Sequence, residues 1–161
     1  MKCINCGKAE MAPSLEDFPY PTSGLPGVVL VGLRVDRCGS CGEYEVEIPG
    51  VEALHRALAH AVVKQDSPLT PGEIRFLRKH LAWTGVEMAT TFGVTKETVS
   101  RWENGRERMS PTADRLLRAA VLLLEPADGW SIERFRAIGI EAAPRPPLRL
   151  TPSAGGWKEA A

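Results

Sequence analysis

The chain has 161 residues, 43% hydrophobic and 25% charged, with 20 Lys+Arg against 20 Asp+Glu; this is a globular composition, long enough for one or two small domains and too short for a large catalytic barrel. Residues 1–66 hold six Lys/Arg and nine Asp/Glu, residues 67–125 nine and seven, and residues 126–161 five and four, so a protein that binds polyanions over its whole surface is excluded and any nucleic-acid contact must be local. No window approaches 18 apolar residues and the start, Met1-Lys2-Cys3, has no apolar signal region, so no membrane span and no secretory signal are expected, and the chain is expected to be cytoplasmic.

In chain order, the first segment opens with Cys3-Ile4-Asn5-Cys6, and then Pro13, Pro19, Pro21 and Pro26 with four early glycines predict a loop-rich stretch. Val28 to Val35 reads as an apolar, β-branched strand. Glu43-Tyr44-Glu45-Val46-Glu47-Ile48 alternates acid with apolar, as a strand with one wet face does. Cys38-Gly39-Ser40-Cys41 lies between them. Val51, Leu54, Leu58, Ala61 and Val62 then recur at helical spacing. Gln65-Asp66-Ser67-Pro68 is a polar break, after which the patterning is only helical. Thr70-Pro71-Gly72-Glu73 starts one helix, Thr84 and Glu87 form a capping box for a second, Thr95 caps a third that ends at Asn104-Gly105, and Ser110-Pro111 opens a fourth. Residues 131–138 suggest a short helix; beyond Pro144, Arg145-Pro146-Pro147 and Gly155-Gly156 predict an extended or disordered tail. The fold expected is α+β: a small four-cysteine, zinc-ribbon-like β domain over 1–66, an all-α domain over 69–124, and a C-terminal extension over 125–161 that ends irregularly.

The four cysteines fall in two Cys-x-x-Cys pairs. Each such turn can aim two thiolates at one point, and two of them complete a tetrahedron around one structural Zn²⁺ per chain, with Cys3, Cys6, Cys38 and Cys41 as ligands. Gly7 and Gly42 follow the pairs, where positive φ lets backbone N–H groups turn toward sulfur. Two disulfides would suit a secreted protein, a thioredoxin-like site needs one pair on a βαβ frame, and iron–sulfur clusters usually group three cysteines more tightly. A complete four-thiolate set leaves no open catalytic position. His55, His60 and His80 read as surface or packed histidines. With no Ser/His/Asp set and no P-loop, an enzyme is not expected.

From Gly85 to Trp102, Met88, Phe92, Val94, Val99 and Trp102 are spaced so that two short helices bury them, with Ala89 at the crossing and Gly93 at the turn. This is a helix-turn-helix pattern. The second helix exposes Lys96, Glu97, Thr98, Ser100 and Arg101, and Arg106 and Arg108 follow it. These types hold phosphates or read base edges, so the seven are the candidate DNA contacts.

Thr98-Val99-Ser100-Arg101-Trp102-Glu103-Asn104-Gly105 resembles the signature of the phage-repressor-like (Xre) family over about Leu69–Leu124. With the opening Met1-Lys2-Cys3-x-x-Cys6, Pro19-Tyr20 after an acidic loop, and Cys38-x-x-Cys41, residues 1–124 resemble the MqsA antitoxins, zinc-finger proteins with an Xre-type domain. That resemblance implies a zinc domain that grips an mRNA-cleaving ribonuclease toxin and a helical domain that dimerises and represses its own operon at a palindromic operator. It implies base reading by Arg101. Glu97 stands where that family commonly has Asn, so a different operator is expected; Gly85 stands where Xre proteins usually have a phosphate-supporting Gln and offers only a backbone N–H there. A stand-alone Xre-family regulator and a zinc-dependent protein-interaction module are the other readings of this pattern.

Overall fold

Strand β2 (Val29–Cys38) organises the N-terminal sheet in this computed structural model, which describes residues 1–161. One edge pairs antiparallel with β1 (Met11–Pro19). The other edge is shared: β3 (Tyr44–Val46) pairs antiparallel with its C-terminal end, and β4 (Arg149–Ser153) runs parallel to Val29 and Leu30 at its start. β4 turns back through Ala154-Gly155 into β5 (Gly156–Glu159). A bulge falls where Glu16 faces Leu33 but Phe18 faces Leu30. Gly32 takes φ 69° there and donates its N–H to Asp17 Oδ1 at 3.3 Å. The extra residue breaks the two-residue alternation, so that Leu30 and Leu33, an odd number apart, are both buried.

Two expectations are corrected. The proline-rich stretch is not all loop: β1 runs through Pro13 to Pro19, and an edge strand tolerates residues without an N–H because one side of it has no partner to satisfy. The C-terminal tail is not irregular: β4 and β5 join the sheet, and Leu150 is 1% exposed. The row Glu43–Ile48 yields only the three-residue β3, with Tyr44 exposed.

The chain forms two compact units. The first comprises Met1–Pro21, Gly27–Leu54 and Pro147–Ala161, and the second Thr22–Pro26 and His55–Pro146. The sequence places the boundaries at 66 and 124 instead. The units meet inside helix α1 (Val51–Val63), and the last strands belong to the first unit.

The second unit is helical: α2 (Pro71–His80), α3 (Gly85–Phe92), α4 (Lys96–Glu103), α5 (Pro111–Leu124) and the short α6 (Ile132–Ala137). Thr70 and Thr84 each form a complete capping box with the glutamate three residues on, Thr95 caps α4 and Ser110 caps α5. These hydroxyls satisfy N–H groups that a helix start otherwise leaves orphaned. Ile74, Leu77, Met88, Ala89, Val99, Trp102, Leu117 and Val121 are buried. Leu123 and Leu124 remain 82% and 65% exposed, so the short helix α6 does not cover them. No helix is long and apolar enough to cross a membrane.

A four-cysteine cluster and an exposed polar helix

Cys3, Cys6, Cys38 and Cys41 bring their sulfurs within 4.8 Å of one another. Cys3 and Cys41 Sγ atoms are 3.6 Å apart, as are those of Cys6 and Cys38. A disulfide needs about 2.05 Å, so none is formed. Four thiolates about 2.3 Å from a central ion would stand ~3.8 Å apart along a tetrahedron edge, so the set fits one metal ion. The two turns are built alike. Gly7 N–H donates to Cys3 O at 2.9 Å and Gly42 N–H to Cys38 O at 3.0 Å, with φ 63° and 76°. Cys3 and Cys38 are buried and Cys41 is exposed.

Donors converge on the sulfurs. Ser40 N–H lies 3.4 Å from Cys38 Sγ and Asn5 Nδ2 3.8 Å from Cys41 Sγ. Backbone N–H groups of Cys41 and Ser40 lower the Cys38 thiol to about 6. At Cys41 the Glu43 N–H opposes the change, but partial desolvation of its sulfur and the three neighbouring thiols together push it up to about 11. One cysteine therefore ionises readily and another resists while its neighbours are sulfur alone. A cation among them favours thiolates throughout.

In the second unit, α3 and α4 are joined by a short turn in which Gly93 takes φ 67°. Val99 and Trp102 anchor α4 inward, and Lys96, Glu97, Ser100 and Arg101 are exposed. Glu103, only 8% exposed, receives Arg78 Nε, with Nη2 at 3.1 Å, and fixes α4 to α2. Thr98 is half-buried and its hydroxyl lies 3.1 Å from that of Thr95, so it serves the cap. Arg101 is 3.7 Å from Glu107, Arg106 is exposed, and Arg108 Nη2 donates to the Ile140 carbonyl.

A family described as the antitoxin component of a bacterial toxin-antitoxin system, MqsA, matches residues 1–124. The chain belongs to the MqsA antitoxin family. No individual curated protein matches it. The match ends at the last residue of α5, so α6, β4 and β5 lie outside the part of the chain that is MqsA-like. Within that part, the spacing of the cysteines correctly brings four sulfurs together. The Arg78–Glu103 pair went unread, because an arginine on an amphipathic helix usually reads as a solvated charge. His60 and His80, read as surface or packed, converge on Glu125: His60 Nε2 lies 2.9 Å from its carbonyl and His80 Nε2 2.7 Å from Oε2.

Proposed function

We propose that this MqsA-family chain is a zinc-stabilised antitoxin that represses its own operon through a helix-turn-helix formed by α3 and α4. The observation that carries the reading is α4 itself: inside the family match, its buried residues are apolar and its exposed positions offer two cations, a hydroxyl and a carboxylate. Lys96, Glu97, Ser100 and Arg101 would face base edges, and Arg106 and Arg108 phosphates. Glu97 can accept from cytosine N4, whereas an Asn there would suit adenine. Exposed Leu116, Leu123 and Leu124 on α5 suit a homodimer, and two copies would read two half-sites about one helical turn (~34 Å) or a multiple apart.

Binding to duplexes from upstream of the gene, measured across salt concentrations, tests this. Arg101→Ala should cost ~1–3 kcal/mol and relax one base position. Arg108→Ala should weaken all sequences alike and flatten the salt dependence. Equal binding of every duplex by Arg101→Ala and wild type would refute the assignment of α4.

The metal of the cysteine cluster is zinc in this reading, because a closed four-thiolate site suits a structural zinc. Elemental analysis should find one zinc per chain, and a strong chelator or Cys38→Ser should unfold the first unit. No zinc, or an unchanged far-ultraviolet spectrum in chelator, would overturn it.

The first unit, with six Lys/Arg and nine Asp/Glu, is acidic and ill-suited to phosphate, and it suits a basic ribonuclease toxin. Glu45 and Glu47 are exposed and Glu43 is half-buried. Glu43→Lys with Glu45→Lys should weaken capture of such a toxin by the full chain. If no basic protein is captured while DNA binding persists, the chain is a stand-alone regulator.

A further inference from the structure

We propose that the helical unit holds a binding site for a small amphipathic monoanion, in the cavity beneath the strap formed by residues 138–146. The cavity has about 280 Å³ and is partly open. Well-packed interiors carry few voids larger than one water, whose share of liquid volume is ~30 Å³. This one approaches the lower end of ligand pockets, ~300 Å³. Leu69, Ile74, Trp102 and Met109 line it from the helical body, and Ala142 and Ala143 from the strap. Water gains little against such walls, whereas a short alkyl chain or an aromatic ring gains burial.

The strap is held open by polar ties at both ends of the arch. Arg115 Nη2 donates to Ile138 O at 2.9 Å, and Arg108 donates to Ile140 O. At the far end Arg145 binds Glu73 at 2.8 and 3.0 Å and the Pro68 carbonyl at 2.7 Å. Between the ties stand two alanines, whose methyl groups leave the space that larger side chains would fill. Pro144 and Pro146 restrict the backbone that could otherwise collapse inward. The strap lies outside the residues matched by the family, so the cavity belongs to this chain's extension as much as to its family core.

The charge of the occupant follows from the rim, where Glu107 and Arg108 stand. Glu107 faces Arg101 at 3.7 Å. Arg108 spends one bond on a neutral carbonyl. A guanidinium has five N–H donors, so several remain for a carboxylate or sulfonate without releasing the strap. An apolar body inside and one negative head at Arg108 complete the match. Trp102 belongs to α4, so occupancy would touch the buried side of that helix; the binding itself stands independently of what α4 does.

Titration of the full-length, metal-loaded protein with 8-anilinonaphthalene-1-sulfonate, an aromatic monoanion that fluoresces on burial, tests the site. Saturable binding of one molecule per chain is expected, displaced by octanoate more effectively than by octanol. Ala142→Trp, an exposed strap position, should fill the cavity and abolish binding. Arg108→Gln keeps a donor for Ile140 O and should weaken octanoate ~tenfold while leaving octanol unchanged, as expected for loss of a charged hydrogen bond. No saturable binding, or binding unchanged in both variants, would overturn the site. Displacement by octanol as strong as by octanoate would overturn the anionic head.

Discussion

Arg118 has no exposed surface, yet its charge is fully answered. Its Nε donates to Asp114 Oδ1 at 2.7 Å, and its other nitrogens to the carbonyls of Val63 at 3.1 Å, Ser67 at 2.8 Å and Gln65. Asp114 also accepts Leu69 N–H at 2.7 Å. One guanidinium thus satisfies the end of α1 and pins the segment that sequence reads as a linker. Removing it leaves the buried Asp114 carboxylate with the Leu69 N–H alone and takes the guanidinium from the Val63 and Gln65 carbonyls, while the Ser67 carbonyl keeps Arg145 Nη2 at 3.2 Å. Arg118→Ala should cost ~3–5 kcal/mol in urea unfolding, and Arg118→Lys should recover only part, since an ammonium lacks the planar fork. This role was illegible beforehand. An Asp and an Arg four apart on a helix read as a solvated pair, and the three carbonyls lie more than 50 residues upstream.

Among elements, those whose signals are local were legible. The caps at Thr70, Thr84, Thr95 and Ser110 need only residues within one turn, and the Gly93 turn needs only its own φ. Gly93→Ala should therefore cost ~1–2 kcal/mol, the penalty of a left-handed Cβ, because nothing else lies within 4 Å of the added atom. Urea unfolding checks this, and a neutral result would mean that the turn relaxes. β1, β4 and β5 were not legible. Pro13 and Pro152 argue against strands unless the edge or pairing context is known. Gly155-Gly156 reads as low order in isolation, whereas Ala154-Gly155 is a two-residue hairpin loop once Ser153 and Gly156 pair. Of the candidate site, the gathering of the four cysteines was readable from spacing alone. The strap cavity was not, because its two sides lie 33–75 residues apart in the chain.

On acidification the helical unit should lose stability in two stages. Burial, aided by the His80 charge, holds the His55 imidazole below its ordinary value. The unfolded chain then binds the proton more readily, so this contribution is present above about pH 6.5 and declines as pH falls below it. Burial pushes the Glu125 carboxyl up, but His80 and Arg56 together outweigh it and hold it down. Its contribution is present above the ordinary carboxylate value and lost as pH falls through the lowered one. Melting temperatures should fall from pH 8 to 5 and again below 4.5, and His55→Gln should flatten the first stage. A melting temperature that rises between pH 7 and 5 would contradict the sign.

The parallel pairing of β2 with β4 also dictates an order of events during synthesis. Val29 must wait for Arg149, 120 positions later. At 5–20 residues per second that is roughly 6–24 s on the ribosome. The cysteine cluster needs nothing beyond Cys41 and can close while the helices are still being made. During that interval the start of β2 has one edge without its strand, the kind of exposure that invites pairing with another nascent chain.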